Sequence, residues 1–247
     1  MTVSDIPGSS PVAPAPAPNS FQRVIGVLFS PNETFASIAR QPDWLVPLAL
    51  ILVVSLVAGI VFAQRVDFAA PVREAIEQNK NVSPEQADRT VRIASAAAKI
   101  FAYCSPAISL IFLLIISSFL LLAFRVMGGE GGFRQAFSVT CYSWMPGLIK
   151  SIIITAIVAS RSISAADIAT VLRSNLGFLV PMKQNPLLFA LLTKLDVFSI
   201  WMIALLVIGF AFVSNFSKAK SAAIVISLWA VATLLTLIGP AIQMRNR

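Results

Sequence analysis

Residues 195–238 read LDVFSIWMIALLVIGFAFVSNFSKAKSAAIVISLWAVATLLTLI, two apolar stretches separated by a short polar connection. Asp196 and Lys218 enclose 21 uncharged residues, and Lys220 and Arg245 enclose 24. A helix needs about 20 mostly apolar residues to cross a hydrocarbon core of about 30 Å. The sequence therefore predicts two membrane-spanning helices, and so short a connection forces them into an antiparallel hairpin.

Three further stretches are long enough to cross a membrane. Asp43 and Arg65 enclose 21 uncharged residues, and Lys99 and Arg125 enclose 25. The stretch 136–159 has similar length but carries Lys150. We therefore expect an all-α integral membrane protein, a bundle of five transmembrane helices with short interfacial helices. The predicted spans are about 45–63, 100–124, 136–159, 195–213 and 222–238.

The composition of the 247 residues agrees with a membrane protein. Hydrophobic residues make up 57% and charged residues 12%, whereas soluble domains contain about 45–50% and about 25%. The net charge is +8, but the 19 basic residues are scattered singly at span ends and in loops, with no basic run. This distribution suits anionic headgroups and argues against a nucleic-acid partner.

The chain lacks the residues that most catalytic sites use. It contains no histidine, which is the commonest general base and the commonest metal ligand. Glycines 128–132 are not followed by Lys-Ser/Thr, so they do not form a phosphate loop, and a Gly-x-Ser-x-Gly elbow is absent. We expect no enzymatic activity, cofactor, metal or bound nucleotide.

The segments outside the spans differ in character. Residues 1–20 are Pro/Ala-rich and predict a disordered tail, while residues 241–247 form a short tail after the membrane domain 42–240. The segment 21–41 is amphipathic, with Ser30-Pro31-Asn32-Glu33 predicted to cap a second short helix. It suits either the membrane surface or packing on the protein's own helices. Its apolar face comprises Phe21, Val24, Ile25, Leu28 and Phe29.

Two long connections carry weaker signals. In 64–99, the capping sequence Ser83-Pro84-Glu85-Gln86 predicts a helix that continues into the second span. In 160–194, the apolar piece 177–192 is interrupted by prolines and predicts a half-submerged or re-entrant segment.

Small residues and one cation distinguish the third span. A row of small side chains recurs every four residues and predicts close helix packing, and Pro146 predicts a kink. Lys150 costs about 2.5–3.5 kcal/mol near the middle of a span. It can snorkel to the interface or pair with Asp196, the one acid predicted at its level. The row comprises Ser143, Gly147, Ser151, Thr155 and Ala159.

Three segments, in this order, resemble the bacterial form of the Ypt-interacting-protein (Yip) domain family. They are SPNETFASIARQPDWLVPLAL (30–50), GGEGGFRQAFSVTCYSWMP (128–146) and LDVFSIWMIALLVIGFAFVSNFSKAKSAAIVISLW (195–229). The resemblance implies a five-helix membrane domain with a cytoplasmic N-terminus. It supplies no catalytic residues, and the GTPase binding of eukaryotic members is not carried over.

Charge counts conflict with that orientation. With the N-terminus inside, six basic residues outside the spans face the cytoplasm and twelve face the other side. The raw positive-inside count therefore favours the opposite orientation. The two short loops are nevertheless the denser in basic residues, and Arg125, Arg134, Lys218 and Lys220 lie directly at span ends. We follow the family and place the N-terminus inside a bacterial inner membrane.

Two functions remain open from the sequence. A non-enzymatic membrane scaffold or organiser is favoured by the absence of a catalytic constellation and by the interfacial N-terminal segment. Its partners would be the lipid bilayer and a membrane protein or a second copy of the chain. A transporter or channel component is favoured by Lys150, since ionisable groups within spans often mark transport paths.

Overall fold

The computed structural model describes residues 19–78, 82–181 and 184–245. In that part, the chain is almost entirely helical, and five segments are long and apolar enough to cross a membrane. The prediction of an all-α membrane protein is confirmed. The predicted tail 1–20 lies almost wholly outside the described residues. The five segments are Leu45–Arg65, Ser105–Val126, Phe133–Ser160, Val197–Ser214 and Lys218–Gly239.

Twelve α-helices follow one another along the described residues. The helices up to the second span are α1 (Ser20–Phe29), α2 (Pro31–Arg40), α3 (Leu45–Arg65), α4 (Ala70–Glu77), α5 (Pro84–Tyr103) and α6 (Ser105–Val126). The third span consists of α7 (Phe133–Ser143) and α8 (Met145–Ser160). The remaining helices are α9 (Ile168–Val171), α10 (Pro186–Leu192), α11 (Val197–Ser214) and α12 (Lys218–Arg245).

Prolines interrupt two of the long helical segments. Pro146 has no N–H to donate to the carbonyl of Tyr142, and the helix breaks at Trp144, where the kink was expected. Pro106 acts in the same way, and α5 ends one residue before Cys104. The predicted continuous helix into the second span is therefore wrong: α5 stops at Tyr103 and the span begins at Ser105. Ser83 and Gln86 do form the predicted capping box.

The N-terminal helices pack on the bundle to different extents. In α2, Phe35 and Ile38 are fully buried, and the helix lies against α7 and α11. Ser30 is the N-cap of α2 and Pro31 its first residue, as predicted, but the Ser30 side chain makes no capping hydrogen bond, so the predicted capping box is wrong. The Ser30 carbonyl instead accepts from the backbone N–H and the hydroxyl of Thr34. The amphipathic segment thus packs on the protein through α2, and α1 is only half covered.

The opposite end of the bundle is closed by the long connections. Strands β1 (Val66–Asp67) and β2 (Ile163–Ser164) pair in parallel and join the ends of the first and third spans. In the predicted re-entrant region, α10 packs against α12. Helix α12 extends to Arg245, so the described part of the predicted tail 241–247 is helical.

Candidate functional site

Lys150 and Asp196 join the third span to the fourth. The Lys150 Nζ donates to Asp196 Oδ2 over 2.9 Å. The Asp196 side chain is 1% exposed and that of Lys150 is 28% exposed. The structure thus brings together the two residues that the sequence singled out, and Lys150 adopts the paired arrangement.

The Asp196 carboxylate also accepts hydrogen bonds from groups other than Lys150. Asp196 is the N-cap of α11, where its Oδ1 accepts from the backbone N–H groups of Phe198 and Ser199. The hydroxyl of Ser174 donates to its other oxygen, and the backbone N–H of Val197 donates to the carbonyl of Ser174. A carboxylate at a helix N-terminus is also favoured by the helix dipole. The acid is therefore fully engaged within the protein.

The Asp196 carboxyl is stabilised in its charged form. Burial alone would raise its pKa, but the hydrogen bonds from Ser174 and Lys150, together with the Lys150 charge, lower the pKa below its ordinary value. The Asp196 carboxylate is consequently ionised at neutral pH, and its contact with Lys150 joins α8 to α11.

The small-residue row is divided by the break at Trp144. Ser143 ends α7 and is fully buried, whereas the other members lie on α8. Gly147 faces Met202 of α11 closely, since a Cβ there would lie 2.9 Å from the methionine sulfur. Thr155 is buried, its hydroxyl bonded to the carbonyl of Ser151, while Ala159 is exposed. The row therefore does not form one continuous packing face.

The tightest helix approaches occur at glycines outside that row. A Cβ on Gly59 of α3 would lie 2.0 Å from the Ala102 carbonyl oxygen, which Pro106 leaves without a helical donor. Beside it, the Ser105 hydroxyl donates to the Ser55 carbonyl over 2.7 Å. Gly209 of α11 similarly admits the side chains of Phe35 and Val139. These contacts depend on which helices are neighbours, and the neighbours cannot be deduced from the sequence alone.

A second polar cluster lies at the other end of the bundle and was not predicted. Arg23 of α1 is 5% exposed, and its guanidinium lies 3.0 Å from the Asp43 carboxylate. It also donates to the Gln41 carbonyl and to the Ser37 hydroxyl. Tyr142 of α7 donates to the same Asp43 oxygen over 3.0 Å. This cluster fastens helices α1 and α2 to the first and third spans.

One sequence signal could have revealed this cluster. Arg23 and Val27 are four residues apart and share the buried face of α1. The sequence allowed the apolar face of α1 to lie on the membrane surface or to pack on the protein. Val24 and Leu28 are partly buried against the core, whereas Phe21, Ile25 and Phe29 are 62–79% exposed. We call these three residues the α1 stripe. The helix therefore buries an arginine and presents apolar side chains outward.

The glycine-rich turn between the second and third spans has a structural role. Gly128 and Gly131 have φ angles of 84° and 97°, which favour glycine. The Arg125 guanidinium donates to the Gly131 carbonyl, and the backbone N–H of Glu130 donates to the Ser214 carbonyl over 3.3 Å. The turn is thereby held against the connection between α11 and α12.

Five apolar helical segments around a buried core define an α-helical membrane protein that crosses the bilayer several times. Among the residues described, no three His, Cys, Asp or Glu side chains are grouped so as to hold a metal ion. The family model of the Yip1 domain matches residues 25–239, and the chain belongs to this family. No curated protein and no solved structure matches the chain.

Proposed function

We propose that the protein is a non-enzymatic organiser of its membrane, acting through contacts with lipid and with other membrane proteins. The observation that carries this proposal is the α1 stripe, held at the mouth of the first span by Arg23. A helix with one apolar face lies in the plane of the membrane surface with that face towards the acyl chains. The stripe is therefore a fixed surface through which the bundle engages lipid or a neighbouring protein.

The polar groups within the bundle also favour a scaffold over a transporter. Lys150 is the ionisable group that would mark a transport path, but its ammonium is engaged by Asp196. Asp196 in turn accepts from Ser174 and caps α11. A closed pair of this kind stabilises the contact between two spans. Transport remains the second candidate, on the ground that Lys150 lies within a span.

We further propose a bacterial inner membrane with the N-terminus in the cytoplasm. Four basic residues lie at span ends, at the same end of the bundle as α1. They support this orientation, because basic residues next to spans favour the cytoplasmic side. They are Arg125, Arg134, Lys218 and Lys220.

Isolation of the protein in native nanodiscs, followed by mass spectrometry of the proteins and lipids retained, tests the function. The informative variant is Phe21→Ser/Ile25→Ser/Phe29→Ser, which removes the α1 stripe. The matched control removes three exposed apolar side chains of α5, Ile93→Ser/Ile100→Ser/Phe101→Ser.

The proposal predicts that wild type and control retain the same membrane components in a reproducible ratio, and that the stripe variant loses them. Retention of the same components by the stripe variant contradicts the proposal. A small solute or ion bound to the wild type and lost in Lys150→Met would favour transport instead.

A further inference from the structure

A groove of about 580 Å³ opens where α1, the connection from α2 to α3, and the start of α7 meet. Its floor is the ion pair of Arg23 and Asp43. Arg40, at the end of α2, and Arg134, at the start of α7, line its sides, and Asn19 lies at its rim. Three separate segments of the chain thus contribute arginines to one concave surface.

The charges in this groove are unbalanced. Arg23 is neutralised by Asp43, and its terminal nitrogens are used by Asp43, Gln41 and Ser37. Arg40 and Arg134 are exposed, and within the described residues neither guanidinium makes a hydrogen bond or an ion pair. The groove therefore carries two uncompensated positive charges above a fixed, neutral floor. The planar guanidinium group of arginine can bind two phosphate oxygens at once.

The groove is surrounded by residues typical of the level of the lipid headgroups. Trp44 follows Asp43 directly and packs edge-on against Phe137, with ring centroids 5.6 Å apart. Phe133 stacks on Phe137 at 5.7 Å and begins the third span. Tryptophan and other aromatic residues mark the membrane interface in this position. Leu45 and Phe133 are exposed and begin the apolar surface beside the groove.

We infer that this groove binds the phosphate headgroup of an anionic phospholipid, with Arg40 and Arg134 as the phosphate-binding residues. Arg23 and Asp43 hold the walls in position. The apolar surface that begins at Leu45 and Phe133 receives the acyl chains, which distinguishes a lipid from a soluble phosphate compound. This site extends beyond the proposed function and does not depend on it, because it concerns the recognition of one lipid headgroup in the groove and not the contacts of the α1 stripe.

Native mass spectrometry of the purified full chain, titrated with phosphatidylglycerol or phosphatidylcholine, tests the inference. Wild type binds phosphatidylglycerol preferentially. The variant Arg40→Gln/Arg134→Gln weakens that binding by about tenfold or more, which corresponds to about 1.4 kcal/mol. The control Arg89→Gln/Arg92→Gln makes the same change of charge on α5 and leaves the binding unchanged. Arg40→Lys/Arg134→Lys retains part of it, because lysine still binds phosphate as a point charge.

Three results would overturn the inference. The first is equal binding of the two lipids by wild type, and the second is undiminished phosphatidylglycerol binding by Arg40→Gln/Arg134→Gln. The third is displacement of phosphatidylglycerol by millimolar inorganic phosphate, which would show a site for soluble phosphate. If Arg40→Gln/Arg134→Gln does not fold, the comparison of the two lipids, the lysine variant and the phosphate competition decide the question.

Discussion

The Arg23 guanidinium and the Asp43 carboxylate form an ion pair 3.0 Å long that fastens α1 to the mouth of the first span. Tyr142 donates to the same carboxylate, so the pair also reaches the third span. Because Arg23 faces inward, the opposite face of α1 is turned outward, and Phe21, Ile25 and Phe29 are exposed. The ion pair therefore determines where the α1 stripe lies.

Replacing Arg23 should destabilise the protein substantially. Arg23→Met leaves Asp43 without its cation. Breaking a fully buried pair costs about 3–5 kcal/mol, and we expect a smaller loss here because the Asp43 side chain is 27% exposed. Arg40→Met is the matched control, since Arg40 is exposed and makes no ion pair within the described residues. Thermal unfolding in detergent should show a clear decrease for Arg23→Met alone. Equal melting temperatures for the two variants would contradict the structural role of Arg23.

Lys150 and Asp196 should be energetically coupled. In a double-mutant cycle with Lys150→Met and Asp196→Asn, we expect a coupling free energy of about 1–2 kcal/mol. Asparagine still accepts the N–H groups of Phe198 and Ser199, so the cap of α11 is preserved and the cycle isolates the ion pair. Purely additive losses of thermal stability would show that the pair does not join the two spans.

The same acid should give the protein a pH-dependent stability. The pKa of Asp196 is lowered in the folded state, so its contribution is complete above the ordinary carboxyl pKa of about 4. It is lost as the pH falls through the lower folded pKa. Melting temperatures measured from neutral pH to below pH ~4 should fall more for the wild type than for Asp196→Asn. Identical profiles would contradict this assignment.

Gly59 should not tolerate a side chain. Gly59→Ala places a Cβ 2.0 Å from the Ala102 carbonyl oxygen, and overpacking of this kind costs about 1–3 kcal/mol. Gly239→Ala is the control, because a Cβ there meets nothing within 4 Å and alanine favours a helix. Thermal unfolding should separate the two variants, and equal stability would show that α3 can move away from Ala102.

The orientation can be tested by labelling single cysteines from outside the cell. The described residues include Cys104, which is exposed, and Cys141, which is buried, so the background needs Cys104→Ser and Cys141→Ser. An impermeant reagent should then label Glu85→Cys but not Glu33→Cys. The reverse pattern would place the N-terminus outside, as the raw count of basic residues favours.

Much of the fold follows from the sequence because membrane spans depend on local composition. Uncharged runs longer than 20 residues locate the first and fourth spans, and Pro146 locates the break at Trp144. The continuation of α5 into the second span was mispredicted because Pro106 frees the carbonyl of Ala102. That carbonyl oxygen lies against Gly59 of α3, which is distant in sequence.

The sites were less predictable, because they depend on how helices are arranged. Lys150 could be matched to Asp196 because alternating span directions put both near one face and only one acid was available there. Arg23 and Tyr142 could not be matched to Asp43 in this way. The spacing of Arg23 and Val27 indicates the buried face of α1, but it does not show which residues that face meets. Packing also divides the apolar face of α1, because Val24 and Leu28 are partly buried against the core and the α1 stripe is exposed.

The most direct test of the account is the depth of the α1 stripe in a bilayer. The full chain without its native cysteines is placed in vesicles containing phosphatidylglycerol and carries a nitroxide label at one introduced cysteine. The labelled variants are Phe21→Cys, Ile25→Cys and Phe29→Cys, and Glu33→Cys of α2 is the comparison. Electron paramagnetic resonance should show the stripe labels more accessible to oxygen than to a water-soluble nickel reagent, and the reverse at residue 33. Stripe labels as accessible to the nickel reagent as residue 33 would contradict a membrane-surface role for α1.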